Sequence, residues 1–139
     1  MNRERLAKQL ENDEDKKPKM YLDTVGKWTA GVGRNLSDRA FSEDEIQLML
    51  SNDINLAVKD ARQLIPGFDN LDDVRAEVCA NLAFNLGYAR LSGFKNCLAA
   101  INASDFNRAA DEMKNSKWYG QVGQRGVRLV NAMRSGSWA

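Results

Sequence analysis

Glu14, Asp23 and Thr29 stand nine and six residues apart around the segment "DEDKKPKMYLDTVGKWTAGVGR", Asp13 to Arg34. A glutamate and an aspartate facing each other can break a glycosidic bond. One carboxyl group stays protonated and donates to the leaving oxygen, while the other is ionised and activates water or attacks the sugar carbon. A hydroxyl such as Thr29 can hold a water beside Asp23, and Gly31 and Gly33 leave room for a sugar ring. The chain has no histidine, so the commonest general base is absent. Spacing alone leaves an alternative open: "NDEDKK" also has the character of a solvated charge run.

The elements that must position these groups follow from periodicity. Residues 2–13 predict a short polar helix with Leu6, Ala7 and Leu10 on one side, so Glu14 falls at its end. Residues 19–33 predict a strand pair turning at "TVGK". Trp28, Ala30 and Val32 alternate with Thr29, Gly31 and Gly33, and the apolar row is expected to face a core. Ser42 with Glu45 forms a capping-box signature. It opens a long helix whose apolar stripe runs from Ile46 through Leu50, Ile54, Ala57 or Val58 and Ala61 to Ile65, before Pro66. Residues 72–86 predict a central buried helix, "VCANLAFNLG", ended by Gly87, with Asn81 and Asn85 on one face. Shorter helices are expected at 94–102, at 105–114 with Ser104 as cap, and at 124–133. The class is α+β, mostly α.

The 139 residues suffice for one domain. Their charged fraction, 28 %, is ordinary, and the net charge of +1 gives no global case for nucleic acid or membrane. The distribution is uneven. Residues 113–139 carry Lys114, Lys117, Arg125, Arg128 and Arg134 and no acid, whereas residues 36–77 hold ten acids against four bases. The basic end is suited to an anionic polymer, although scattered solvated charge reads equally well. Cys79 and Cys97 lie in apolar runs and are expected to be buried free thiols in a reducing compartment. No stretch is apolar for long enough to span a bilayer, and "MNRERLAKQLEND" lacks the apolar region of an export signal.

Several motifs in order carry a resemblance over nearly the whole chain. Glu14, Asp23 and Thr29 followed by Gly-Val-Gly, then "YLDTVGKWTAGVGRNLSD", "NLAFNLG", "GFKNCLAAI" and "SKWYGQVGQRGVRLVNAMRSGSW", resemble the phage-type lysozymes of glycoside hydrolase family 24, the T-even phage lysozyme family. The resemblance implies a two-lobed lysozyme fold forming one domain over 1–139. It has a small β lobe at about 12–41, a connecting helix at 42–65, and a helical lobe at 66–139 that packs with the N-terminal helix 1–11. It implies Glu14 as general acid, with Asp23 and Thr29 positioning the water in an inverting hydrolysis. Tyr21, Gly33, Asn81, Phe84, Asn85, Trp118, Gln121 and Arg125 fall on positions that line or support the cleft, and Arg125 matches an arginine that approaches the catalytic glutamate. Core packing is an equal alternative for Phe84 and Trp118.

By the same resemblance the protein is an endolysin muramidase. It would cut the bond from N-acetylmuramic acid to N-acetylglucosamine in peptidoglycan strands without metal or cofactor. It would act as a monomer and wait in the host cytoplasm until a separate holin opens the membrane. A lytic transglycosylase and a non-catalytic wall-binding module are the rival readings. Three positions depart from the family pattern. Asp15 stands where glycine is usual, Pro18 replaces a common leucine, and Arg34 sits where some members have histidine. The chain is also shorter between the hairpin and Ser42, so the N-terminal lobe should be small.

Overall fold

A computed structural model describes all of residues 1–139. Seven helices and one three-stranded antiparallel sheet make it a mostly α protein of the α+β class. The elements run α1 (Arg3–Glu14), β1 (Lys16–Leu22), β2 (Trp28–Val32), β3 (Arg34–Asn35) and α2 (Glu43–Leu64). A 3₁₀ turn (Phe68–Asn70) leads into α3 (Asp73–Ser92), α4 (Lys95–Asn102), α5 (Phe106–Lys114), α6 (Lys117–Val122) and α7 (Gln124–Ser135). The chain divides into two compact units, Met1–Ile46 and Gln47–Ala139, and α2 is continuous through the boundary.

In the first unit the sheet order is β1-β2-β3. Asn2 caps α1, its side chain accepting from the Arg5 amide at 2.9 Å. Lys16 and Lys17 pair with Val32 and Gly31, but Tyr21 and Leu22 pair with Thr29 and Trp28. The register therefore slips between Lys17 and Tyr21. That interval holds Pro18, which has no N–H to give to a ladder.

The apolar row of β2 is not covered as expected; Thr29 is the one buried residue of the strand, with Ala30 half-buried and Gly31 exposed. Thr29 is 5 % exposed, whereas Trp28 is 44 % exposed and Val32 is also open. Period two separates the rows of a strand; it does not say which row something packs on. α1 contacts β2, Tyr21 is the cross-strand partner of Thr29, and the Thr29 hydroxyl is satisfied by a backbone carbonyl.

The Ser42 capping box forms as its spacing predicts. The Ser42 amide and hydroxyl both donate to Glu45 Oε1 at 2.8 Å, and the Glu45 amide points back at Ser42 Oγ. The same carboxylate is ion-paired with Arg34 of β3, so one side chain ties the start of α2 to the sheet.

The apolar core belongs to the second unit. Ile65, Val78, Leu82, Leu91, Met113, Leu129 and Met133 are fully buried there. Cys79 and Cys97 are buried free thiols, each pushed up to about 12, chiefly by burial. Gly87 ends the first helical run of α3, as expected. It breaks the helix with φ 78°, ψ 167°, and the chain resumes helical turns to Ser92. Asp105, not Ser104, caps α5 by accepting from the Arg108 amide at 3.2 Å. Ser104 instead makes the turn, at φ 56°. Helix α6, absent from the periodicity reading, is capped by Ser116, whose hydroxyl accepts from the Tyr119 amide.

Candidate active site

Five of the candidate residues lie in the first unit. Helix α1 ends on Glu14, and its side chain rests on the backbone of Gly33. A Cβ placed on Gly33 would lie 2.7 Å from Glu14 Oε2 and 3.0 Å from its Cδ. Gly33 also has φ +64°, so this position excludes a side chain both by space and by conformation. Tyr21 is half-buried on β1 opposite Thr29.

Asp23 and Thr29 are organised by the backbone of one residue, Lys27. Its N–H donates to Asp23 Oδ1 at 2.8 Å. Its carbonyl accepts from the Asp23 amide at 2.9 Å and from Thr29 Oγ1 at 3.2 Å. The Val25 amide donates to the same Asp23 Oδ1 at 3.0 Å. Asp23 is thus fixed through one oxygen, and its other oxygen carries no protein hydrogen bond. The Thr29 proton is committed to a carbonyl, which leaves the hydroxyl lone pairs to accept. Residue type alone does not single out Lys27, but "DTVGK" does carry the signal of an aspartate that bonds its own turn.

Lys27 is in turn anchored. Its Nζ pairs with Asp38 Oδ2 at 3.1 Å, and Asn35 Nδ2 reaches the same oxygen at 3.0 Å. Hydrogen bonding from Asn35 and then Lys27 holds the Asp38 carboxyl below its usual range.

The other six candidates lie in the second unit. Asn81 Oδ1 accepts two bonds from Arg125, from Nε at 3.0 Å and Nη2 at 2.7 Å. One helical turn on, Asn85 Oδ1 accepts from Trp118 Nε1 at 2.8 Å. Trp118 is only 2 % exposed and is part of the core. Gln121 Oε1 faces Arg90 Nη2 at 3.4 Å. Phe84, by contrast, is 46 % exposed. With Asn81 and Arg125 it lines an open groove of about 380 Å³, completed by Leu50, Ile54, Ala57, Glu77 and Ala80.

Helix α7, which presents Arg125, is held at its far end by Arg75. That guanidinium donates to the carbonyls of Met133 at 2.7 Å and Arg134 at 2.9 Å, and lies 4.0 Å from the Phe106 ring. A cation on the last carbonyls of a helix satisfies acceptors that the helix itself leaves open. Neither Arg75 nor Arg90 stands out in the sequence, because an isolated arginine reads as surface charge.

The model of the family described as phage lysozyme matches residues 11–134. The chain belongs to the phage lysozyme family. Membership makes it a glycoside hydrolase of the lysozyme class. Two similar proteins are from Dictyostelium discoideum. Probable T4-type lysozyme 2 is 26 % identical, covering 95 % of each chain, and probable T4-type lysozyme 1 is 27 % identical, covering 92 % of each. The pre-baseplate central spike protein Gp5 of Enterobacteria phage T4 is 22 % identical over 95 % of this chain but only 28 % of its own length.

The enzyme's Arg34 is occupied by Glu45 rather than left unpaired. Its guanidinium and the Ser42 cap bring the Glu45 carboxyl down to about 2 from an ordinary 4.5. A carboxylate with a depressed folded value contributes stability above its unfolded value, and that stability fades as pH falls toward the folded value. Glu45→Gln keeps the cap geometry and removes the charge. The enzyme's lead in melting temperature over Glu45→Gln should therefore be largest above about pH 5 and close as pH falls toward 2. Calorimetric scans across that range check this, and a lead that does not change with pH would refute it.

Proposed function

We propose that the enzyme is an endolysin muramidase. It hydrolyses the β-1,4 bond from N-acetylmuramic acid to N-acetylglucosamine in bacterial peptidoglycan. Glu14 is the general acid that protonates the leaving oxygen. Asp23 and Thr29 hold the attacking water, and Asp23 offsets the positive charge that develops on the sugar. The observation that carries this reading is the shared fastening of Asp23 and Thr29 to Lys27, in the same compact unit that seats Glu14 on Gly33. Tyr21 and Gly33 then belong to the reacting subsite. Asn81, Phe84, Asn85, Trp118, Gln121 and Arg125 bind or support the glycan, with the Asn81–Arg125 and Asn85–Trp118 pairs fixing the geometry of the helical unit.

The whole chain acts as one lysozyme domain, as a monomer and without a metal or cofactor. It accumulates in the host cytoplasm and reaches the wall through a lesion made by a separate holin. No helix is long and apolar enough to cross a membrane. Digestion of purified peptidoglycan tests the chemistry. New reducing ends are expected. Anhydro-muramic ends would make the enzyme a lytic transglycosylase, and intact strands with bound protein would make it a wall-binding module.

A further inference from the structure

The end of β3 and the turn after it fasten three successive residues, Lys27, Trp28 and Thr29, each by a different group. Thr29 is the ladder partner of Asn35. The Trp28 amide donates to Ser37 Oγ at 2.8 Å, and the Trp28 carbonyl accepts from the Leu36 amide at 2.7 Å. Lys27 Nζ reaches both carboxylate oxygens of Asp38, at 3.3 and 3.1 Å. The turn is itself folded on Asn35, whose Oδ1 accepts from the Ser37 amide at 2.9 Å and from the Asp38 amide at 3.1 Å.

The contact from Ser37 differs from the others in what it controls. The Lys27 carbonyl and the Trp28 N–H are opposite ends of one peptide group, which is planar and trans. Holding the N–H therefore aims the carbonyl. That carbonyl accepts from both the Asp23 amide and the Thr29 hydroxyl. Rotation of this one peptide would release both together. The Asp38 ion pair is half exposed and acts through a flexible four-carbon stem, so it adds little to the direction of the carbonyl.

We propose that Ser37 is a positioning residue for the groups that hold the attacking water. Its hydroxyl oxygen fixes the Lys27–Trp28 peptide, and that peptide fixes Asp23 and Thr29 relative to each other. This rests on the reading of Asp23 and Thr29 as the water-holding pair. Ser37 bonds to neither of them. Misalignment of a reacting group costs rate more than binding, because positioning supplies much of the rate.

The test compares Ser37→Ala, Ser37→Thr and Asp23→Asn on purified peptidoglycan, with amide hydrogen exchange in the free enzyme. Ser37→Ala removes the acceptor. Its kcat should fall about five-fold with KM within about two-fold. The Asp23 amide should exchange at least about three-fold faster, while the Leu82 amide in the core keeps its rate. Ser37→Thr keeps the hydroxyl and should hold both kcat and Asp23 exchange within about two-fold of the wild type. Unchanged kcat in Ser37→Ala overturns the proposal, as does Asp23 exchange that does not move. Faster exchange at Leu82 as well would mean a general loss of stability and also overturns it. A loss in Ser37→Thr equal to that in Ser37→Ala does the same, because the hydroxyl would then not be the active part. If a folded Asp23→Asn protein remains active, the water-holding reading falls and the proposal falls with it. If Asp23→Asn is inactive, a failure at Ser37 counts against the proposal alone.

Discussion

A folded Glu14→Gln protein is expected to turn over peptidoglycan at least about 100-fold more slowly than the wild type, the usual worth of a positioned acid. The substitution keeps the shape of the side chain and removes its dissociable proton. It should leave the fold intact. Glu14 is exposed, and the contact it makes is with the Gly33 backbone, which an amide of the same size can also make. Circular dichroism and melting temperature supply the control, and turbidity loss of a cell-wall suspension supplies the rate. Near-normal lysis by the folded variant would remove Glu14 from the mechanism. The acid would then be sought in the same last turn of α1, at Glu11 or Asp13. Glu11 is the weaker of these candidates, since its carboxylate already faces Lys16 Nζ at 3.9 Å.

Where the sequence was legible, it was legible for local reasons. Ser42 and Glu45 are three residues apart, and nothing beyond that turn is needed to form their reciprocal cap. The central helix was readable because Val78, Cys79, Leu82, Ala83 and Leu86 leave no polar side except the one that Asn81 and Asn85 mark. The failures were of tertiary origin. Thr29 was placed on the open row of β2, because alternation cannot tell which row a neighbour covers. Ser104 and Asp105 are both good cap residues, and the choice between them was made by the turn that follows α4. Helix α6 is six residues long and contains Gly120, too short to show a period.

The candidate site divides in the same way. The residue types of Glu14, Asp23 and Thr29 are compatible with glycoside chemistry, but their spacing also fits a solvated charge run, and only the resemblance gives each a role. The backbone that fastens Asp23 and Thr29 is not legible at all, because Lys27 contributes an amide and a carbonyl that every residue but proline possesses. Asp15 was legible as a departure from glycine, but its backbone, at φ 61° and ψ 159°, was not. That conformation follows from a ladder that begins one residue after a helix ends.

The first sugar released from a β-linked substrate is expected to be the α-anomer. Two arrangements of a carboxyl pair are in use. At about 5–5.5 Å the second carboxylate attacks carbon directly, and two displacements retain the configuration; at about 6.5–9.5 Å a water fits between, and one displacement inverts it. The hydrogen bonds around Thr29 favour the water. Its hydroxyl proton is given to the Lys27 carbonyl, so the oxygen can only accept from a new partner. Asp23 Oδ1 is taken by the Lys27 and Val25 amides, and its other oxygen is unclaimed. A water bonded to that oxygen and to Thr29 Oγ1 has both protons committed, one of them to a base. Its lone pairs are then free to attack a sugar carbon. If Asp23 were the nucleophile, the accepting hydroxyl of Thr29 would have no water to receive. Proton NMR of early time points, before mutarotation mixes the anomers, reads the result. Initial β-anomer would require a glycosyl ester on Asp23, and the role given to Thr29 would have to be withdrawn.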